Sequence, residues 1–170
     1  MSIAAPARRD FTADDVGLLA ATLRAPEQPL RICQALDKVS SDVIGHRLFT
    51  VMRFHRAQSE VERIYSNLPS AYPAGGRKKK KDTAWAGHVL GDMKVFRGND
   101  AADIRSAFDD HATILGLGLG SVLNIPVVFD GRCLGTMNLL HEAGWYRPQD
   151  EHAGLSLAAF LIPVLLDGNS

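Results

Sequence analysis

Two long apolar segments joined by Asp130-Gly131 constrain the fold more than any other feature of this 170-residue chain. The segments at residues 121–129 and 132–141 read SVLNIPVVF and RCLGTMNLLH, compositions that favour β-strands. An Asp-Gly pair between two such segments is typical of the tight type I′ turn of a β-hairpin. The sequence therefore predicts an antiparallel sheet that contains this hairpin.

The two faces of the predicted hairpin differ in polarity, because side chains alternate along a strand. One face is purely apolar and carries Leu123, Ile125, Val127, Phe129, Met137 and Leu139. Strict alternation places Cys133 on that face too. The opposite face carries Asn124, Thr136 and Asn138 among apolar residues. A buried amide without a partner costs about 1–3 kcal/mol, so we expect these side chains to face backbone, water or a ligand.

Helices and a second hairpin are predicted around these strands. Period-two alternation predicts antiparallel strands at residues 46–55 and 61–66. Helices are predicted at residues 12–23, 30–45, 83–91, 100–108 and 148–166, with a brief strand at 95–96. Helical spacing puts one face of the first helix inward, namely Val16, Leu19, Ala20 and Leu23. This order of elements predicts an α+β domain with a central antiparallel sheet.

Composition excludes several classes of protein. The chain has 19 basic and 19 acidic side chains, whereas a dedicated nucleic-acid-binding domain is normally net basic. Two cysteines are too few for a disulfide scaffold or a four-cysteine zinc site. The N-terminal residues lack the apolar stretch of a secretory signal, and the longest apolar run, 155–166, is shorter than the ~20 residues that span a bilayer. We therefore expect a soluble, cytoplasmic protein with no membrane or nucleic-acid partner.

Several segments, taken in order, resemble the GAF domain family, small-molecule-sensing relatives of the PAS fold. They are the strand RLFTVMRF (47–54), the loop YPAGG (72–76) ahead of Trp85, the closing hairpin (121–140) with Gly135 inside its last strand, and YRPQDEH (146–152). The resemblance covers residues 46–166. It implies a sheet of five to six strands, with residues 1–44 as a helical extension and 45–168 as the GAF domain.

The resemblance also implies a ligand cavity. Terminal helices would pack on one face of the sheet, and short helices would roof a cavity on the other. The candidate ligand-binding residues are Tyr72, Trp85, Phe108, Asp109, His111, Asn124, Thr136 and Asn138. Each has an alternative interpretation: the aromatic residues as core, the amides and the hydroxyl as structural hydrogen-bonding groups, and Asp109 and His111 as a solvated helix end. GAF domains often dimerise through their terminal helices, so a homodimer is expected.

Known branches of the family do not fit this sequence. The branch that reduces free methionine sulfoxide relies on cysteines in the loop before the penultimate strand, and none occurs between Cys33 and Cys133. The signature residues of the cyclic-nucleotide-binding and bilin-binding branches are also missing. No metal site is assigned, because the six histidines show no ligand spacing typical of a metal centre. No catalytic residue is assigned, since no nucleophile-base set can be assembled from spacing alone, and no cofactor is expected.

These observations predict a stand-alone sensor or binding protein that holds a small organic ligand and signals through a partner protein or through dimer packing. One alternative is a small enzyme that uses the same cavity, with His111 or Asp109 as the acid-base group. Another is an interaction module whose cavity is filled by its own side chains.

Two further motifs are interpreted as structural. The basic run at residues 77–81 (RKKKK) is expected to be a solvated loop, with recognition of a phosphate-bearing ligand as the alternative. Gly116, Gly118 and Gly120 do not complete the G-x-G-x-x-G phosphate-binding motif. They are expected to form a flexible connector.

Overall fold

A computed structural model describes residues 8–167, in which six strands form one antiparallel sheet. The strands are β1 (Leu48–His55), β2 (Glu60–Ser66), β3 (Arg77–Lys79), β4 (Phe96–Gly98), β5 (Ser121–Phe129) and β6 (Arg132–His141). Their order across the sheet is β3-β2-β1-β6-β5-β4. The predicted β5–β6 hairpin therefore lies beside β1 in the middle of the sheet, where both of its faces can be covered.

Helices cover both faces. The terminal helices are α1 (Ala13–Leu23), α2 (Leu30–Val43), α6 (Pro148–Ala158) and α7 (Ile162–Asp167), with a 3₁₀ turn at Ala159–Leu161 between the last two. The opposite face carries what we call the roof: α3 (Ala84–Ala86), the π-helical turn Gly87–Gly91, α4 (Ala101–Ala107) and α5 (His111–Gly116). The predicted α+β architecture, with terminal helices on one face and short helices roofing the other, is confirmed.

The main core lies between the sheet and the terminal helices. Leu123, Ile125 and Met137 point into it and are fully buried against α2 and α6 residues such as Leu36 and Leu157. This agrees with the purely apolar face predicted for the hairpin. No helix within residues 8–167 combines the length and hydrophobicity that crossing a bilayer requires. The boundary between a helical extension (1–44) and a GAF domain (45–168) stays a prediction. Residues 1–7 and 168 lie outside the described residues.

A β-bulge makes the predicted orientation of Cys133 wrong. The register of β5 and β6 shifts at this point, pairing Val127 with Gly135 and Val128 with Cys133. Leu134 is the extra residue and joins the core on the helix side. Cys133 consequently packs on the roof side, in a cluster with Val89. A bulge reverses the alternation of side chains beyond it, so strict period two fails here.

Three other predictions need correction. Val16 is 42% exposed while Leu19 is fully buried, because α1 touches the body of the domain through a narrower stripe than predicted. Residues 77–79 form the edge strand β3 rather than a loop, although they are exposed as expected. Residues 111–116 form helix α5, so the glycine-spaced connector begins only after Gly116.

We expect Gly135→Ala to destabilise the protein severely. A Cβ atom at Gly135 would lie 2.0 Å from the carbonyl oxygen of Met52 on β1, and backbone cannot move away as a side chain can. The loss in free energy of unfolding should reach about 3 kcal/mol, the upper end of overpacking costs, as measured by urea denaturation. Gly87→Ala is the matched control, because its Cβ would have no neighbour within 4 Å. Equal stability of the two variants would contradict this account.

We also expect a loss of stability in mild acid that depends on His141. Burial lowers the pKa of this histidine from 6.5 to about 4, with the positive charge of Arg47 as a further cause. Its ring stacks on Trp145 at 3.7 Å, and its Nδ1 accepts the backbone N–H of Glu142, which requires the neutral form. Between pH 6.5 and 4 the unfolded chain therefore binds a proton at this position that the folded chain does not.

The free energy of unfolding should accordingly fall as the pH drops through this window. His141→Gln should lose less stability than the wild type between pH 6.5 and 4. His152→Gln, on an exposed position of α6, should keep the wild-type dependence. Urea titrations at several pH values measure this, and an unchanged slope in His141→Gln would contradict it.

Candidate functional site

A cavity of about 200 Å³ lies between the sheet and the roof. Its apolar walls are formed by Leu48, Met52, Phe54, Val61, Leu90, Phe108, Ile114, Val122 and Leu140. A dry cavity of about 150 Å³ in another protein is large enough to hold benzene. The space therefore suits a molecule with one ring or a compact pair of rings.

Six of the eight candidate ligand-binding residues line this cavity: Tyr72, Trp85, Phe108, Asn124, Thr136 and Asn138. Asp109 does not, because its exposed carboxylate pairs with Lys81. That contact lowers the pKa of Asp109. His111 begins α5 and is not among the lining residues. The residue between these two, Asp110, does line the cavity.

Strand register places a row of polar side chains across the cavity floor. Thr50 on β1 is paired with Asn138 on β6, which in turn is paired with Asn124 on β5. All three are at most 6% exposed. The next row toward the strand ends is apolar and consists of Leu48, Leu140 and Val122. The polar row is therefore a defined band within an otherwise apolar surface.

The polar row and the roof residue Trp85 form a directional chain of hydrogen bonds that we call the amide relay. It runs through Trp85, Asn124, Asn138 and Thr50. The indole Nε1–H of Trp85 donates to Oδ1 of Asn124 over 2.9 Å. Nδ2 of Asn124 donates to Oδ1 of Asn138 over 2.7 Å, and Nδ2 of Asn138 donates to Oγ1 of Thr50 over 3.2 Å. An indole N–H can only donate, so Trp85 fixes the orientation of both amides.

Within the relay each amide oxygen accepts one hydrogen bond and each NH₂ group donates one. Each asparagine NH₂ group has two hydrogens, and each spends one within the relay. One N–H on Asn124 and one on Asn138 therefore remain unused beside the cavity. The hydroxyl of Thr136, also on the cavity wall, makes no hydrogen bond within residues 8–167.

The other end of the cavity carries charge. The guanidinium of Arg63 lies 4.9 Å from the ring centre of Tyr72, and one of its Nη atoms donates to the carbonyl of Pro73. Its Nε is buried without a hydrogen-bond partner, and burial lowers the pKa of Arg63. The phenol of Tyr72 donates to Asp110 over 2.7 Å. Burial and this hydrogen bond raise the pKa of Tyr72, so it remains a neutral donor.

Short capped helices position the roof side chains. The Thr83 hydroxyl accepts the backbone N–H of Ala86 and starts α3, which directs Trp85 to the sheet. The rings of Trp85 and Phe108 pack 5.9 Å apart. The roof is therefore tied to the cavity floor through one tryptophan, which both packs in the roof and donates to the relay.

The candidate ligand-binding residues did not include four polar residues that line the cavity: Thr50, Arg53, Arg63 and Asp110. Alternation along β1 could have identified Thr50 once β1 was placed beside β6. Arg63 was hidden by a second bulge, since the β1–β2 register shifts between Val51 and Met52. Within residues 8–167, no group of three or more histidine, cysteine, aspartate or glutamate side chains is arranged to hold a metal ion.

No known family model matches the sequence, and no curated protein matches it. Solved structures do match the fold. A GAF domain from an Acinetobacter phosphoenolpyruvate-protein phosphotransferase aligns over 91% of this chain and 92% of its own, with a TM-score of 0.71 and 12% identity. The corresponding GAF domain from Coxiella burnetii aligns over 91% and 95%, with a TM-score of 0.70 and 14% identity.

The chromophore-binding domain of a bacteriophytochrome from R. palustris also matches, with a TM-score of 0.67 and 16% identity over 95% of this chain and 65% of that one. These matches show that the chain has the GAF fold. The resemblance drawn from the sequence is thus confirmed at the level of the fold.

The relay should behave as a coupled unit in stability measurements. Asn124→Leu leaves the Trp85 N–H and the Asn138 oxygen without their partner, so it should cost about 1–3 kcal/mol. Asn138→Leu should cost a similar amount. The double variant removes both amides and leaves fewer orphaned groups, so its cost should be smaller than the sum. Urea denaturation of all four proteins measures this coupling, and additive costs would argue against a relay.

Proposed function

We propose that this chain binds a small organic molecule in the cavity and serves as a ligand sensor. The observation that carries the proposal is the pair of unused N–H groups on Asn124 and Asn138, whose side chains are at least nine-tenths buried beside a cavity of about 200 Å³. Buried polar groups are normally satisfied. A ligand with matching acceptors would satisfy both.

Cavity size supports this proposal over a domain whose cavity is filled by its own side chains. Each water in liquid occupies about 30 Å³, so the space corresponds to several waters. A mainly apolar cavity with a few placed polar groups is the usual composition of a ligand site. The similarity in fold to the chromophore-binding domain of a bacteriophytochrome supports a binding role.

The catalytic alternative gains no support. It relied on His111 or Asp109 as an acid-base group, and neither side chain lines the cavity. The Asp109 carboxylate is exposed and paired with Lys81. Binding, rather than turnover, is the function that the cavity favours.

We further propose that ligand binding is transmitted to a homodimer or a partner protein. The Trp85 indole in the roof donates to Asn124 on the cavity floor, so a ligand that engages Asn124 alters this link. On the opposite side, the terminal helices expose Val16, Leu18 and Leu155 at 42–55%. These apolar side chains support a contact with a second protein surface.

A fragment titration tests the binding proposal. The chain has two tryptophans, and the Trp145 indole donates to the carbonyl of Ile44 on the helix side, which makes it an internal control. In ¹⁵N-labelled protein titrated with single-ring compounds, binding should shift the Trp85 indole resonance and leave that of Trp145 in place. A complete absence of selective Trp85 shifts would contradict the proposal.

A cavity-filling variant provides a second test of the binding proposal. Leu140→Phe adds ring volume at a lining position that is 6% exposed and should weaken any such binding at least about tenfold. Leu30→Phe makes the same change at a position that is 48% exposed on α2 and should bind as the wild type does. Circular dichroism melting checks that both variants are folded. Wild-type affinity in Leu140→Phe would place the ligand elsewhere.

A further inference from the structure

The amide relay gives the cavity floor a hydrogen-bonding polarity. Its two amide oxygens already accept, from Trp85 and from Asn124. Three donors remain unused: one N–H on Asn124, one on Asn138 and the hydroxyl hydrogen of Thr50, whose Oγ1 accepts from Asn138. Each amide oxygen keeps a second lone pair, but a buried oxygen that already accepts one hydrogen bond tolerates this better than a buried N–H tolerates having no partner. The relay therefore favours ligand atoms that accept.

Arg63 adds a positive charge to the same cavity. Its guanidinium forms no ion pair within residues 8–167, and its buried Nε has no hydrogen-bond partner. Asp110 acts on Arg63 electrostatically, but its carboxylate is exposed and already accepts the Tyr72 phenol. A planar guanidinium matches a carboxylate well, because two parallel N–H donors meet two oxygens.

Strand register puts this charge within reach of a small ligand. Arg63 on β2 is paired with Met52 on β1, which is paired with Thr136 on β6. Adjacent strands lie about 4.8 Å apart, so the Arg63 backbone is about 10 Å from that of Thr136 across the floor. A single ring with one carboxylate fits between these positions.

We propose that the preferred ligands are small carboxylates with an apolar body, held by Arg63 and by the unused donors of the relay. This inference rests on the proposed binding function and names the chemical class of its ligand. The apolar walls bind the ring, and every polar group of the ligand is an acceptor. Ligands that carry an ammonium group or only donors are disfavoured by the same arrangement.

Four probes that share one ring test the ligand class: benzoate, benzamide, benzylamine and toluene. Each is titrated into ¹⁵N-labelled protein, and the Trp85 indole resonance reports occupancy of the cavity. Benzoate should bind tightest, because it alone combines an anion with acceptor atoms only, and benzylamine should bind weakest. If toluene or benzylamine binds more tightly than benzoate, the carboxylate assignment is wrong while the binding function stands. If none of the four shifts Trp85, both proposals fail.

Two variants separate the contribution of the Arg63 charge to binding from that of the amide relay. Arg63→Gln should weaken benzoate at least about tenfold, the loss expected for one charge-assisted contact, and should leave toluene within about twofold. Arg105→Gln, at an exposed position on α4, is the matched control and should change neither. The double variant Asn124→Leu/Asn138→Leu should weaken benzoate but not toluene. An unchanged benzoate affinity in Arg63→Gln would remove Arg63 from the site.

Discussion

The hydrogen bond from the Trp85 indole to Asn124 determines how the rest of the cavity is organised. Because an indole N–H cannot accept, this 2.9 Å bond sets the orientation of Asn124 and, through it, that of Asn138. The same bond ties the roof to the floor of the sheet. One side chain thereby defines both the shape of the cavity and its donor character.

The two faces of the sheet have different physical roles. On the helix side, fully buried side chains such as Phe49 and Leu139 form a continuous core with the terminal helices, and that core supplies most of the hydrophobic stabilisation. The roof side is divided into two smaller clusters around Ile104 and Val89. Because the core on the helix side stabilises the fold, the roof side can retain a cavity and partly unsatisfied amides. A uniformly packed core would exclude both.

Sequence patterns predicted the fold well and the cavity partly. Alternation in the β5–β6 hairpin separated Asn124 and Asn138 from the apolar face, because the register there is regular between residues 121 and 127. The same rule misplaced Cys133 and overlooked Arg63, since each lies at or beyond a bulge. A bulge depends on how two strands pair, and this pairing is not visible in the sequence of one strand. Asp109 and His111 were chosen as candidates instead of Asp110. Which of three consecutive residues at a helix start faces a cavity depends on tertiary packing.

A crystal structure of the protein with benzoate bound would test the central claim most directly. The account predicts carboxylate oxygens or water-bridged acceptors at hydrogen-bonding distance, about 2.7–3.2 Å, from the Arg63 guanidinium and from a free Nδ2–H of the relay, with the Trp85–Asn124 bond retained or exchanged for a ligand contact. Benzoate bound outside the cavity, or inside it with Arg63 and both amides uncontacted, would contradict the account.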